Sequence, residues 1–199
     1  MQQHRETFPP LVLASTSPFR KVLLEKLGIT FSTSAPHIDE SSLAGESAQR
    51  LVTRLSLQKA QAVAESFPTA LIIGSDQVAC LDEQIIGKSG DRESAIEQLK
   101  AASGRRVTFY TGLCLLNAAT GRQQTLCEPF TVHFLSLRQD QIERYLDVEQ
   151  PYNCAGSFKS EGLGISLFER LEGNDPNTLI GLPLIRLVGM LNAEGILVP

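Results

Sequence analysis

Hydrophobic and polar positions follow two different periods along this chain, and together they predict a mixture of strands and helices. Short continuous apolar runs at residues 10–15 and 69–74 are typical of buried strands. Two longer runs at residues 106–118 and 123–135, on either side of Gly121, favour a hairpin. Further extended segments are expected at residues 30–35, 84–86 and 153–170, the last of them interrupted by glycines.

Helical periodicity is clearest between residues 47 and 67, where apolar side chains recur at intervals of three and four. Ser17 and Asp91 have the residue types that cap helix N-termini, and Gly28 is a typical helix stop. Helices are therefore predicted at residues 17–27, 47–67, 91–102, 138–148 and 183–194, with a polar loop at residues 37–47. Because strands and helices are mixed without strict βαβ alternation, we expect an α/β fold: a mixed sheet with flanking helices, and two lobes around a cleft.

The overall composition is that of an ordinary globular protein, with 42% hydrophobic residues, 20% charged residues and a net charge of −4. The acidic balance disfavours a protein that coats nucleic acid, because such proteins carry a basic surplus. A four-residue apolar run before Ser15 is too short for a secretory leader, and no stretch could span a membrane. We therefore expect a cytoplasmic protein, with neither nucleic acid nor membrane as a partner.

The potential metal-binding side chains are scattered along the chain. The four cysteines form no C-x-x-C pair and the three histidines are isolated, so a zinc site is not expected. These residues are Cys80, Cys114, Cys127, Cys154, His4, His37 and His133. The cysteines are expected to be reduced and buried.

The first strand passes directly into a helix through the sequence Ser15-Thr16-Ser17-Pro18-Phe19-Arg20-Lys21. Two cations in the first helical turn are unfavourable there, because the free N–H groups already make that end electropositive. Ser15, Ser17 and Arg20 could therefore form a cradle for a phosphate. Simple capping of the helix by the serines is an equally good interpretation.

Two acidic segments could supply a general base or a metal ligand. Asp76 comes directly after the predicted strand 69–74, and ligand sites of α/β proteins gather at the carboxyl ends of strands. Asp39 and Glu40 are adjacent in the polar loop, where one of them could contribute a metal ligand. The alternative is a turn-forming aspartate at position 76 and two solvated acids in the loop.

Two lysines are candidates for binding an anion. Lys59 lies within the apolar stripe of the 47–67 helix, where a lysine either extends to the rim or points into a cleft toward an anion. Lys88 follows the predicted strand 84–86. Together with Arg20, Glu40 and Asp76, these residues have the chemistry that metal-assisted cleavage of a polyphosphate requires.

Several common catalytic motifs are absent. The chain lacks the glycines and lysine of a P-loop and has no G-x-S-x-G elbow. The Gly162-x-Gly164 segment continues to Leu167 where a dinucleotide fingerprint needs glycine. A nucleophilic pair of Cys154 and His133 has no support from their spacing.

The segments LASTSPFRKVLLEKLGI, HIDES, IIGSDQV, IIGK, TFYTG, AGSFKSEG and GLPL occur in this order over nearly the whole chain. In this order they resemble the Maf family of nucleoside triphosphate pyrophosphatases, whose fold is similar to that of the inosine triphosphate pyrophosphatases. The resemblance implies one domain over residues 1–199, a divalent metal (Mg or Mn) as cofactor, and release of pyrophosphate from a nucleoside triphosphate. It also implies that Asp76 accepts a proton and contacts the metal with Glu40, while Ser15, Arg20, Lys59 and Lys88 bind phosphate, in addition to Ser17 from the cradle at the helix start.

Three departures from the family pattern resemble its YceF-type subgroup, whose members cleave 7-methyl-GTP, and imply specificity roles. Phe19 replaces an arginine, Gln77 a threonine and Glu161 a glutamine. The 7-methylguanine ring is cationic, so an aromatic face at Phe19 would attract it by about 0.5–2 kcal/mol through a cation–π interaction. Glu161 would accept hydrogen bonds from the guanine edge and add a favourable charge.

Two other functions remain open at this point. One is a broader pyrophosphatase that removes non-standard purine nucleotides, and the other is a non-enzymatic nucleotide-binding regulator of cell division. The second fits less well, because a binding protein does not need an aspartate that activates water. The sequence leaves both a monomer and a homodimer open.

Overall fold

The computed structural model describes residues 8–198, so His4 and the first seven residues of the predicted domain lie outside the described residues, as does Pro199. Its elements are β1 (Leu11–Ala14), α1 (Pro18–Glu25), β2 (Ser32–Ser34), α2 (Ala48–Ala64), β3 (Leu71–Leu81), β4 (Gln84–Ile86), α3 (Arg92–Ala102), β5 (Arg106–Asn117), β6 (Gln123–Phe134), α4 (Gln139–Glu149), a 3₁₀ turn (Leu163–Leu167), β7 (Phe168–Glu172), α5 (Asn177–Ile180) and α6 (Leu184–Ala193). The predicted mixed α/β class is confirmed.

The sheet has the strand order β2-β1-β3-β5-β6-β7, with β4 added to the far half of β3. β2, β1 and β3 run parallel, and the other pairs are antiparallel. β1 pairs with β3 only as far as Gly74, and β4 pairs with β3 only from Ala79 onward. The edge of β3 between these two partners is therefore open, and this gap forms the base of a cleft.

The hydrophobic core has three parts: two clusters on opposite faces of the sheet near β1, and a third beyond the gap. Leu13 and Ile73 pack with α1 and α6 on one face of the sheet, while Val12 and Ile72 pack with α2 on the other. This division follows from the alternation of side chains along each strand. Beyond the gap, the far halves of the hairpin strands β5 and β6 pack against α3 and α4 in a separate cluster.

Two glycines allow α2 to lie unusually close to the sheet. A Cβ atom at Gly74 would overlap the carbonyl oxygen of Ser56, and one at Gly112 would overlap that of Val52. Both carbonyls belong to α2, so the helix backbone is in direct contact with β3 and β5. This contact sets how far a side chain of α2 can reach over the sheet.

Two sequence predictions were wrong in detail, and one short helix was not predicted. Residues 74–77, expected to follow a strand that ends at Gly74, lie inside the 11-residue β3, because pairing along all of β5 outweighs the turn preference of a Gly-Ser-Asp sequence. Residues 153–170 are not continuously extended, since they include the 3₁₀ turn. The four-residue α5 was missed; its first amide donates to the buried side chain of Asp175.

Among residues 8–198, no helix has the length and apolar character needed to cross a membrane.

Candidate active site

A cleft of about 970 Å³ opens at the gap in the sheet edge and contains every site residue predicted from the sequence. These residues are Ser15, Ser17, Phe19, Arg20, Glu40, Lys59, Asp76, Gln77, Lys88 and Glu161. The chain brings them together from the turn between β1 and α1, from α1, α2 and β3, from the loop before α2 and from the loops that follow β4 and α4. Their location in one cleft is an observation, whereas their individual roles remain predictions.

Lys59 joins the two predicted acids at the centre of this cleft. Its Nζ lies 2.6 Å from Asp76 Oδ1 and 2.8 Å from Glu40 Oε1. Lys59 and Asp76 are buried, while the side chain of Glu40 is 58% exposed. Lys59 therefore points into the cleft and does not extend to the protein surface. A buried cation of this kind is stable only with such partners.

The sheet and the two glycines fix the position of Asp76. Asp76 pairs with Gly112 across β3 and β5, at the level where β1 has already left the sheet. Because Gly112 has no side chain, α2 can approach closely enough for Lys59 to bind the carboxylate of Asp76. The acid–lysine contact thus depends on backbone packing as well as on charge.

At the start of α1, the hydroxyl oxygens of Ser15 and Ser17 both accept hydrogen bonds from backbone N–H groups. Ser17 Oγ accepts from the N–H of Arg20 at 3.4 Å, and Ser15 Oγ accepts from the N–H of Ser17 at 3.1 Å. The capping interpretation is therefore confirmed for Ser17, which is the N-cap of α1. Both serines also line the cleft, so their predicted contact with phosphate would add to this structural role.

Phe19, Arg20 and Lys21, in the first turn of α1, point in different directions. Phe19, which is 39% exposed, lines the cleft. Arg20 donates from Nε to the carbonyl of Gly181 at 2.9 Å, and its desolvation lowers the pKa of the guanidinium, while Asp76 and Glu40 oppose that shift. Lys21 extends into solvent beside Glu25, 4.0 Å away, so only one of the two predicted cations faces the cleft.

Gln77 is held tightly by neighbouring carbonyl groups. Its amide nitrogen donates toward the carbonyls of Thr178 and Leu179, at 2.7 and 3.2 Å, and toward Thr111 Oγ1 at 2.9 Å. The donor side of the amide is therefore occupied, and its oxygen accepts no hydrogen bond from residues 8–198. Gln77 links β3 to α5 and can offer a ligand only an acceptor.

In each of two candidate pairs, Asp39 with Glu40 and His133 with Cys154, only the second residue lines the cleft. Asp39 lies outside the cleft lining, where its carboxylate accepts from the N–H of Ser41 at 2.9 Å. His133 pairs with Glu172 on β7, while Cys154 lines the cleft and burial raises the pKa of its thiol. A thiol of raised pKa is a poor nucleophile, so nothing in this arrangement favours cysteine chemistry.

Sequence reasoning missed three residues that shape or line the cleft. Lys159 and His37 line it, and His37 adopts a left-handed backbone with φ 35°. Ser75 Oγ lies 2.9 Å from the carbonyl of Gly112 and 3.0 Å from that of Gly181, which ties β3 to β5 and to the end of α5. Ser75 and Lys159 lie within the GSDQ and AGSFKSEG segments, but neither has a pattern that separates it from its neighbours.

In the described part of the chain, no three His, Cys, Asp or Glu side chains are grouped closely enough to hold a metal ion by themselves. Glu40 and Asp76 provide two carboxylates on the same lysine nitrogen. Mg²⁺ commonly uses one or two carboxylates and completes its coordination with water and substrate phosphates. The donor set therefore fits an ion that binds together with a phosphorylated ligand.

The mixed sheet and the cleft at its open edge define an α/β protein of the inosine-triphosphate-pyrophosphatase-like fold. A solved structure titled "The structure of the Staphylococcus aureus Ham1 protein" has a TM-score of 0.53 over 93% of this chain and 99% of that chain. At 15% identity, this likeness shows the fold alone. The family model "Maf-like protein" matches residues 10–194, and the chain belongs to that family.

Curated relatives match over nearly their whole length. The chain is 61% identical to a protein of Alcanivorax borkumensis, covering 96% of this chain and 97% of that protein, and 58% identical to one of Colwellia psychrerythraea, covering 94% and 93%. It is 56% identical to a protein of Pseudomonas aeruginosa, covering 96% and 100%. All three relatives are named 7-methyl-GTP pyrophosphatase.

Proposed function

We propose that this protein hydrolyses 7-methyl-GTP to 7-methyl-GMP and pyrophosphate. The observation that carries the proposal is the cluster of Lys59, Asp76 and Glu40 in a cleft that also contains Phe19 and Glu161. The cluster has the groups needed to cleave a phosphoanhydride, and the other two residues suit a cationic purine. The names of the relatives at 56–61% identity support the same substrate.

In this proposal, Asp76 accepts the proton of the water molecule that attacks the α-phosphorus. The new bond joins that water oxygen to phosphorus, and the bond between the α-phosphorus and the bridging oxygen breaks, so that pyrophosphate leaves. Lys59 holds the carboxylate of Asp76 at 2.6 Å and keeps it oriented. A proton acceptor positioned in this way typically accelerates a reaction by about 10²–10⁴-fold.

The negative charge of the phosphates would be neutralised in part by Arg20, Lys59 and Lys88, all of which line the cleft. The two carboxylates bound to Lys59 offset part of this positive charge, so a triphosphate would need a further cation. A divalent ion held by Glu40 and Asp76 would supply Lewis-acid stabilisation of the phosphate oxygens. Arg20 is restrained by the carbonyl of Gly181, which favours a fixed phosphate contact.

Base selection would involve both walls of the cleft. Phe19 would stack on the methylated ring, where an arginine would repel its positive charge. Glu161 would accept hydrogen bonds from the guanine edge, and its carboxylate has only the Ser160 hydroxyl as a side-chain partner among the described residues, at 3.2 Å. The oxygen of the Gln77 amide is oriented by the donor contacts of that amide.

A nucleotide panel tests this proposal. With Mn²⁺ present, 7-methyl-GTP should give the highest kcat/KM among 7-methyl-GTP, GTP, dTTP and UTP, with pyrophosphate as the released product. Faster hydrolysis of a pyrimidine nucleotide, or release of inorganic phosphate alone, would contradict it. Phe19→Arg should lose the preference for the methylated base, which identifies the cleft as the source of selectivity.

The same panel separates the two alternatives. Comparable kcat/KM values for inosine, xanthosine and 7-methylguanosine triphosphates would indicate a broader purine pyrophosphatase. Tight binding of 7-methyl-GTP without pyrophosphate release, even with Mn²⁺, would indicate a nucleotide-binding regulator.

Removal of the metal should stop hydrolysis. Excess EDTA is expected to abolish pyrophosphate release. Without a divalent cation, the carboxylates of Glu40 and Asp76 would repel the negatively charged triphosphate. Addition of Mg²⁺ or Mn²⁺ should restore the rate, which can be followed by a coupled pyrophosphate assay. An unchanged rate in EDTA would remove the metal from the proposal.

A further inference from the structure

The segment that carries Glu161 is a tight turn built around one carbonyl group. The carbonyl of Lys159 accepts from the N–H groups of Gly162 at 3.3 Å and of Gly164 at 3.0 Å. A Cβ atom at Gly164 would overlap this carbonyl, so the turn requires glycine there. Glu161 lies inside the turn. Among the side chains of residues 8–198, its carboxylate accepts a hydrogen bond only from the hydroxyl of Ser160, at 3.2 Å. Its position is therefore set by the backbone.

Helix α4 holds the turn at both ends. The hydroxyl oxygen of Tyr145 accepts from the N–H of Lys159 at 3.1 Å, and Glu149 Oε2 accepts from the N–H of Leu163 at 2.8 Å. A Cβ atom at Gly162 would lie 2.6 Å from Glu149 Oε2, so the carboxylate and the turn are in close contact. Tyr145 is buried, and this burial raises the pKa of its hydroxyl, which stays protonated.

Glu149 occupies a position where an acid is normally unfavourable. It is the last residue of α4, and the free carbonyl groups at a helix C-terminus repel negative charge. Lys159 compensates for this, since its Nζ lies 3.2 Å from Glu149 Oε1 and donates to the Glu149 carbonyl at 3.2 Å. Glu149 thus contacts both the side chain of Lys159 and the N–H of Leu163, and it ties the end of α4 to the turn.

We propose that Tyr145 and Glu149 are positioning residues for recognition of the base, because they fix the turn that presents Glu161 to the cleft. The inference rests on the proposed role of Glu161 in binding the methylated guanine. Residues 139–149 of α4 do not line the cleft themselves. Base selectivity would thus depend on a helix that does not contact the substrate.

The test compares Tyr145→Phe and Glu149→Ala with the wild-type enzyme on 7-methyl-GTP and GTP, with kcat and KM measured separately. Tyr145→Phe keeps the buried ring and removes only the acceptor for the N–H of Lys159, so the fold should be retained. Each variant should lower the ratio of kcat/KM for 7-methyl-GTP to that for GTP by about three- to tenfold, because both bases share the guanine hydrogen bonds but only the methylated base carries a positive charge that the Glu161 carboxylate attracts. The change should appear in the KM for 7-methyl-GTP, with little change in kcat.

Asp147→Asn is the matched control, because Asp147 lies on the same helix but pairs with Arg92 on α3, at 2.8 Å, away from the turn. This variant should keep the wild-type ratio. A general weakening of the protein would instead lower kcat/KM equally for both nucleotides in the Tyr145→Phe variant, and that result would overturn the inference.

A double substitution decides whether α4 acts through Glu161. If it does, Tyr145→Phe combined with Glu161→Gln should give the same ratio as Glu161→Gln alone, because the positioned group is already altered. A further drop in the double variant would contradict the inference. If Glu161→Gln lowers the ratio but Tyr145→Phe and Glu149→Ala do not, the positioning role fails while the proposed function stands. If Glu161→Gln itself has no effect, the proposed base recognition fails and this inference fails with it.

Discussion

Substitution of Asp76 by asparagine is expected to lower kcat for 7-methyl-GTP by about 10²–10⁴-fold, the contribution of a well-placed proton acceptor. Asparagine has nearly the same shape but does not accept a proton from water. It also removes one of the two carboxylates available to a divalent ion. Steady-state release of pyrophosphate measures the effect directly.

The fold of this variant should survive, because Lys59 keeps Glu40 as a partner at 2.8 Å. Circular dichroism and the thermal midpoint check this point. Asp39→Asn is the appropriate control, since Asp39 is the neighbour of Glu40 but lies outside the cleft lining. The control should retain wild-type kcat, and a variant at Asp76 that also retained it would refute the role of Asp76.

Substitution of Gly112 by alanine is expected to lower the free energy of unfolding by about 3 kcal/mol, at the upper end of overpacking effects. The added methyl group would overlap the carbonyl oxygen of Val52, which belongs to the backbone of α2. Neither partner can move by a simple change of rotamer, so the helix must shift away from the sheet. Urea unfolding followed by circular dichroism measures the change.

The same shift should affect activity. Lys59 is carried by α2, whereas Asp76 pairs with Gly112 on the sheet, so displacement of the helix would lengthen their 2.6 Å contact. A folded Gly112→Ala enzyme should therefore hydrolyse 7-methyl-GTP slowly even at low temperature. Gly189→Ala is the matched control, because a Cβ there meets no atom within 4 Å. Equal stability of the two variants would show that α2 does not depend on this close approach.

The sequence was a good guide where one local signal determined the structure. The Ser17-Pro18 start of α1 and the Asp91 cap of α3 appear as predicted, and so does the hairpin around Gly121. Lys59 could be selected because a lysine is chemically conspicuous on an apolar stripe. Its two partners could be proposed only as a group, since nothing local links residues 40, 59 and 76.

The errors occurred where distant strands decide the local structure. The Gly74-Ser75-Asp76-Gln77 segment has the composition of a turn, but β5 holds all of it in the sheet. The polar side chains of that segment are satisfied by groups far along the chain, such as Gly181 for Ser75 and Thr178 for Gln77. Similarly, the contact of Glu149 with Leu163 could not be inferred from a helix that is unremarkable in sequence.

The continuous run of β3 and β5 beneath the cleft has a mechanical consequence. Their pairing extends without a break from Leu71 to Leu81, so the same hydrogen-bonded ribbon joins the packing clusters on either side of the gap. A hinge across this ribbon would have to break main-chain hydrogen bonds, so the floor of the cleft resists bending between the two clusters. Any movement of the protein around a bound substrate is therefore confined to parts outside this floor, on which Asp76 keeps a constant place.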